Sequence, residues 1–169
     1  RADIQRCIRH KERNVLDHLP EKERAKAKAR MRAAWDLADA DEALERLQKL
    51  QAELGFHYPG AAASLAEGME ETLTVQRLGV TGLLKATLQS TNPIESMISI
   101  VRTTSRNVKH WQSGDMGLRW TAAGMLEAEK KFRKVHGYKD LARLAVTIEE
   151  QLAGSESVER EEVQTLVTV

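Results

Sequence analysis

Helix breakers are scarce in this chain: 169 residues hold three prolines and ten glycines. The stretches between them are dominated by Ala, Leu, Glu, Lys and Arg. These residues lose little on entering a helix, whereas proline costs about 3 kcal/mol in a helix interior. The chain is therefore expected to be mainly α. A helix over 8–19 is ended by Pro20, because a residue before proline is pushed out of the helical region. Residues 21–37 read as helix, with Ala29, Ala33, Ala34 and Leu37 on one stripe. Asp39 is the expected cap of a helix to Leu54, with Leu44, Leu47 and Leu50 as its seam and Gly55 as its stop. The pattern recurs weakly from Tyr58 to Gln76, where Leu65, Met69, Leu73 and Gln76 fall in register, and 78–88 is less regular. Further helices are expected from Pro93 to about Lys109, from Met116 to His136 and from Tyr138 to about Leu152. Residues 2–6 read as the close of a strand or the opening of a helix. Beyond Gly154 the sequence turns acidic and reads as a frayed tail.

Composition narrows the class. The formal charge is +1, from 26 Lys and Arg against 25 Asp and Glu, so no global field draws the chain to a polyanion. The near-neutrality is a cancellation of blocks. Residues 1–32 hold 11 basic and 5 acidic residues, and 36–53 hold 2 and 6. Residues 102–139 hold 9 and 3, and 149–162 hold 1 and 6. Such blocks are usually solvated helix faces; basic residues interleaved with Trp111, Trp120 and Phe132 could also hold phosphates. The single cysteine excludes an intrachain disulfide framework and any zinc site built from several thiolates of this chain. No apolar run approaches the roughly 20 residues needed to span a bilayer. A soluble, intracellular protein without membrane association is the expectation. Arg1 opens directly into patterned sequence, which reads as a cut from something longer.

Two local motifs could carry chemistry. In Ser90-Thr91-Asn92-Pro93-Ile94-Glu95-Ser96, Asn92 as N-cap, Pro93 as first helical residue and Glu95 three residues on would form a capping-box-like helix start. Alternatively the helix start aims the Glu95 carboxylate into a cleft to help hold a divalent cation, since Mg²⁺ takes oxygen ligands and keeps waters. Cys7 and His10 form a Cys-x-x-His pair. Zinc there would need His18 or distant residues as further ligands, and the simpler reading is a small buried thiol with a histidine satisfied by a neighbour. His18, His57, His110 and His136 fall in no metal-like spacing, and no glycine-rich phosphate loop or nucleophile elbow is present.

Three segments taken together resemble one family. They are Gln5-Arg6-Cys7-Ile8-Arg9-His10-Lys11 with Arg13-Asn14, then the Ser90–Ser96 stretch followed by Arg102, then Arg119-Trp120 with the helix to Gly137. Their order and separation resemble the Mutator-type bacterial insertion-sequence transposases, members of the DDE superfamily with an RNase H-like catalytic core. The resemblance implies an enzyme of DNA transposition in which three acidic residues bind two Mg²⁺ ions. Those ions activate water or a DNA 3′-hydroxyl and stabilise the leaving oxygen. Carried over residue by residue, Glu95 is the third acidic residue and metal ligand, and Cys7 and His10 match the family's Cys-x-x-His pair. Thr91 and Asn92, with Ser90, support the helix start. Arg102, Arg106, Lys109, Arg119 and Lys130 are candidates to hold the DNA backbone, while Trp120, near Ala122, Ala123 and Leu126, reads as packed helix.

The resemblance implies the C-terminal portion of an RNase H-like core with an all-helical insertion. Residues 1–19 would end a catalytic-core segment and 20–88 would be the insertion. Residues 89–152 would be the C-terminal core helices, and 153–169 a flexible acidic tail. The family's first two catalytic Asp residues and its N-terminal DNA-binding region lie upstream of the Cys-x-x-His segment, so this stretch is expected to be inactive alone. Ile94, Ile98 and Val101 would be covered by the missing sheet. Implied partners are double-stranded DNA, as element terminal inverted repeats and target, and further copies of the full-length protein, in a bacterial cytoplasm at the nucleoid. Two other readings stand beside this one: a non-catalytic helical nucleic-acid-binding module, and an interaction domain that pairs through the Leu44-Leu47-Leu50 seam.

Overall fold

The largest side chains decide which helix faces turn inward. In the computed structural model, which describes residues 3–167 with side chains through 154, α1 (Ile8–Asp17), α2 (Glu21–Asp36), α3 (Ala40–His57) and α4 (Pro59–Ala66) form a bundle. Its core holds Val15, Leu19, Ala27, Met31, Ala34, Trp35, Ala43, Leu47, Leu50, Leu54, Ala61, Leu65, Met69 and Leu73. On α2 the inward face is Ala27, Met31, Ala34 and Trp35. The expected alanine stripe is thus rotated, with Ala29 and Ala33 exposed. Burying Met and Trp removes far more apolar area from water than burying alanine, so they set the helix's rotation. The seam of α3 is consumed inside this bundle, with Leu47 and Leu50 buried and Leu44 packed against them. That overturns the reading of the seam as a free pairing surface.

Helix ends follow local chemistry in most places. The Asp39 carboxylate accepts hydrogen bonds from the Asp41 and Glu42 amides at 2.8 and 3.0 Å, as an N-cap should. Gly55 does not stop α3, which runs on to His57 and meets α4 at Pro59. The chain breaks instead at Gly68, in the left-handed region at φ +61°, ahead of the short α5 (Thr74–Arg77). Leu65, Met69, Leu73 and Gln76 are nevertheless all buried, so their register survives the break.

Beyond the bundle, α6 (Gly82–Leu88) and α9 (Leu141–Val167) share a small second core of Val75, Val80 and Leu84 with Leu78, Leu88 and Leu144 around it. The expected helix to His136 ends earlier, at Glu129, because the chain must turn at Gly137. That residue sits at φ +78°, and a Cβ there would lie 2.4 Å from the Leu84 nitrogen. At the other end the backbone of α9 stays helical to Val167, past the expected end near Leu152. Residues 149–162 contain no proline and are rich in Glu, so Gly154 by itself does not end the helix. The mainly α expectation holds, and no strand occurs among the described residues. Residues 3–7 form neither a strand nor a helix.

Helices α7 (Asn92–Ser105) and α8 (Gly114–Glu129) pack closely against each other. Their closest approach is at Gly124, where a Cβ would lie 2.8 Å from the Val101 Cα. Val101 is therefore covered within the chain, whereas Ile94 and Ile98 are exposed. Trp120 is half-buried on the same side as Gly124, and Ala122, Ala123 and Leu126 face outward, against expectation. Gly→Ala inside a helix ordinarily gains about 1 kcal/mol. Gly124→Ala is expected to lose about 1–3 kcal/mol instead, because backbone lies where the methyl must go. Urea unfolding checks the sign, and a net gain would mean that the helices slide apart freely.

Candidate functional site

Two segments more than 80 positions apart meet because the backbone ties them. The Ile8 amide donates to the Gln89 carbonyl at 3.0 Å, and the Arg6 amide to the Glu71 carbonyl at 2.8 Å. Side chains reinforce this. Gln5 donates to the Thr72 carbonyl at 3.0 Å and accepts from the Val75 amide at 2.9 Å, and Arg6 pairs with Glu67 at 2.7 Å. Lys11 is buried, and its ammonium donates to the carbonyls of Ser64 (2.7 Å) and Glu67 at the end of α4, a favourable place for a cation. Glu12 is buried and accepts from Arg32 through both oxygens at 2.5 and 3.0 Å. So Gln5, Arg6, Lys11 and Glu12, interspersed with Cys7 and His10, anchor the start of α1. Their roles were not foreseen, since charged residues at this spacing look solvated on paper.

The result is a constellation of Cys7, His10, Thr91 and Glu95. Thr91 donates its hydroxyl proton to Glu95 Oε1 at 2.7 Å. His10 Nε2 lies 3.2 Å from the same oxygen, and His10 Nδ1 lies 3.3 Å from Thr91 Oγ1. Cys7 Sγ is 3.5 Å from that hydroxyl. The carboxylate and the imidazole are both about half exposed, so the constellation opens to solvent. A hydroxyl carries one proton, so Thr91 donates to the sulfur and to Glu95 in turn, not at once, and links the thiol to the carboxylate.

The capping-box reading fails on this geometry. Thr91, not Asn92, is the N-cap, and its side chain accepts no amide hydrogen bond. Asn92 is the first helical residue and exposed, with its amide donating to Ser90 Oγ at 3.4 Å. The Glu95 carboxylate is therefore not spent on orphan amides. Cys7 is half-buried rather than buried. Burial pushes its thiol up, but hydrogen bonds to Thr91 and His10 outweigh this and bring it down to about 7. Because the thiolate is the nucleophile, alkylation of Cys7 by iodoacetamide should rise through about pH 7. Thr91→Val should move that midpoint upward, and a wild-type midpoint near an ordinary thiol's ~8.5 would contradict the hydrogen-bonded arrangement.

The candidate cations divide by face. Glu95, Ser99, Arg102 and Arg106 follow one another at helical spacing along the exposed side of α7. Lys109 is exposed in the segment after that helix. Arg119 and Lys130 lie on or at the end of α8, away from the side that carries Gly124. Lys130 is also paired with Glu127 at 2.9 Å. Among the described residues no three His, Cys, Asp or Glu side chains group as a metal site would require. One carboxylate beside a thiol and an imidazole does not fit a two-cation site on its own.

Fold and site together define a helical protein whose polar centre is a carboxylate at a helix start, flanked by unpaired arginines. The profile of "Transposase, Mutator family" matches residues 1–134, and the chain belongs to that family. It is 31% identical over 114 residues to the transposase for insertion sequence element IS6120 of Mycolicibacterium smegmatis, covering 68% of this chain and 35% of that protein. It is 30% identical over 137 residues to the transposase for ISRM5 of Rhizobium meliloti (strain 1021), covering 81% and 34%. To the transposase for IST2 of Acidithiobacillus ferrooxidans it is 27% identical over 140 residues, covering 83% and 47%. The chain thus spans between about a third and a half of the curated relatives it matches. No solved structure matches it.

Proposed function

We propose that this chain is the carboxylate-bearing helical portion of a transposase that moves an insertion sequence, and that Glu95 is one of its catalytic carboxylates. The observation that supports this most is the convergence of His10 and Thr91 on Glu95, with Cys7 against the Thr91 hydroxyl. All four belong to the motifs that resemble the family, and the Glu95 carboxylate is not spent on capping the helix. In this reading the portion belongs to an RNase H-like core, and Mg²⁺ ions held by that core would activate the attacking oxygen and stabilise the leaving one.

The chain's own residues do the positioning. Thr91 and His10 hold the carboxylate by one oxygen, leaving the other free. Arg102, Arg106 and Lys109 would hold the phosphate backbone of double-stranded DNA, both element terminal inverted repeats and target, along the same side. The described residues supply no full set of acidic ligands, so the 169-residue chain by itself is proposed to lack strand cleavage. The test is Glu95→Gln in a longer transposase carrying this segment, scored separately for strand cleavage and for binding to the element ends.

A further inference from the structure

The basic block over 1–32 is not one surface, because most of its described cations are already engaged. Arg6 and Lys11 are held by Glu67, Lys28 and Arg32 by Glu12, and Arg30 by Glu53. Arg24 donates to the Leu19 carbonyl at 2.9 Å. Arg9, Arg13, Lys22 and Lys26 are exposed, and no ion pair involves them. Arg9 and Arg13 stand one turn apart on the outer face of α1, the face that also carries His10, Asn14 and, a turn further on, Asp17. The buried face is Lys11, Glu12 and Val15. His10 on that outer face touches Glu95, so the arginines share a helix face with a residue in contact with the carboxylate.

We infer that Arg9 and Arg13 form a second phosphate-holding stripe, so that a nucleic-acid strand passes Glu95 between α1 and the Arg102–Arg106 stripe of α7. The proposal rests on the transposase reading above and adds residues which that reading did not assign to DNA. Four residues of helix rise about 6 Å, close to two steps of about 3.4 Å between the phosphates of one strand along a duplex axis. Each arginine is thus spaced to meet its own phosphate. Arginine also presents a rigid fork that matches phosphate oxygens. Both side chains are exposed, so replacing them leaves the bundle core untouched. Asp17 limits the stripe, since a carboxylate repels the strand beyond Arg13.

The test measures binding of the full 169-residue chain to a short fluorescent DNA duplex over a range of salt concentrations. Each phosphate contact contributes about 0.9 to the slope of log affinity against log salt. Arg9→Gln with Arg13→Gln should flatten that slope by about 2 and weaken binding equally across duplex sequences. Arg9→Lys with Arg13→Lys should restore most of the slope, because lysine keeps the charge. Lys22→Gln with Lys26→Gln removes the same charge from the exposed side of α2 and should leave the slope unchanged. Equal flattening by both Gln pairs would overturn the stripe and make it a bulk charge effect. Flattening by Arg102→Gln with Arg106→Gln but not by the α1 pair would overturn this inference while leaving the transposase reading intact. A wild-type chain with no salt-dependent binding would overturn both.

Discussion

Glu95→Gln in a full-length transposase containing this segment is expected to reduce strand cleavage by about 10³-fold or more while binding to the element ends survives. Gln has nearly the shape of Glu. Its carbonyl oxygen can still accept from Thr91, as the carboxylate does at 2.7 Å, and the backbone bond from the Glu95 amide to the Thr91 carbonyl at 2.9 Å is unaffected. The helix start should therefore persist, and the loss is that of a charge. Charge stabilisation at a phosphoryl-transfer centre is worth several kcal/mol, and about 4 kcal/mol corresponds to the expected ~10³-fold. Glu95→Asp keeps the charge but draws it back by one methylene, away from Thr91 and His10, and should recover part of the rate. Cleavage at wild-type level in the Gln variant would remove Glu95 from the reaction. Loss of binding with no separate loss of cleavage would make it a DNA contact rather than a reacting group.

Trp35→Ala should be the most damaging single change to the fold, costing about 3–5 kcal/mol. Trp35 is 2% exposed in the centre of the bundle. Its indole N–H donates to Thr72 Oγ1 at 3.0 Å, and that hydroxyl donates in turn to the Met69 carbonyl at 2.6 Å. Alanine would leave both a cavity and a buried hydroxyl without its donor. The damage should also reach the polar site, since the carbonyl of Thr72 holds Gln5 and Gln5 leads into Cys7. Trp35→Phe fills most of the space without supplying the N–H, and should cost about 1–2 kcal/mol for the unsatisfied hydroxyl. Urea unfolding of the two variants separates the packing contribution from the hydrogen bond. A Trp35→Ala loss no larger than that of the Phe variant would contradict the packing account.

Helix punctuation was legible in the sequence wherever it rests on local chemistry. Pro20 precedes α2 and Asp39 caps α3, because proline and an N-cap carboxylate act on their own neighbours. The rotation of α2 was not legible, since an alanine stripe looks apolar on a helical wheel but buries too little area to compete with Met31 and Trp35. The helix begins at Asn92, one residue before the Pro93 start that the capping pattern predicts. Asn92 is the stronger capping type, but its own amide donates to Ser90 Oγ and Thr91 takes the cap position. Glu95, Cys7, His10 and Thr91 were each singled out from motifs, yet nothing local to either motif shows that they touch. Their contact depends on the Ile8 to Gln89 backbone bond and on the anchoring of Lys11 and Glu12. The latter pair looked like solvated charge in the sequence because burial is set by α2 and α4, not by neighbours in the chain.

The bond between the Ile8 amide and the Gln89 carbonyl also says something about how the site comes into being. His10 and Thr91 are 81 positions apart, so the constellation cannot form by local closure of a short loop. The entropy of such a closure grows only as the logarithm of its length, and packing in α1 to α4 is expected to offset it before Thr91 and His10 meet. In kinetic terms the site is a long-range contact that should appear after the bundle. The change in Cys7 alkylation rate during refolding is thus a clock that starts only when the whole detour from residue 8 to residue 89 has closed.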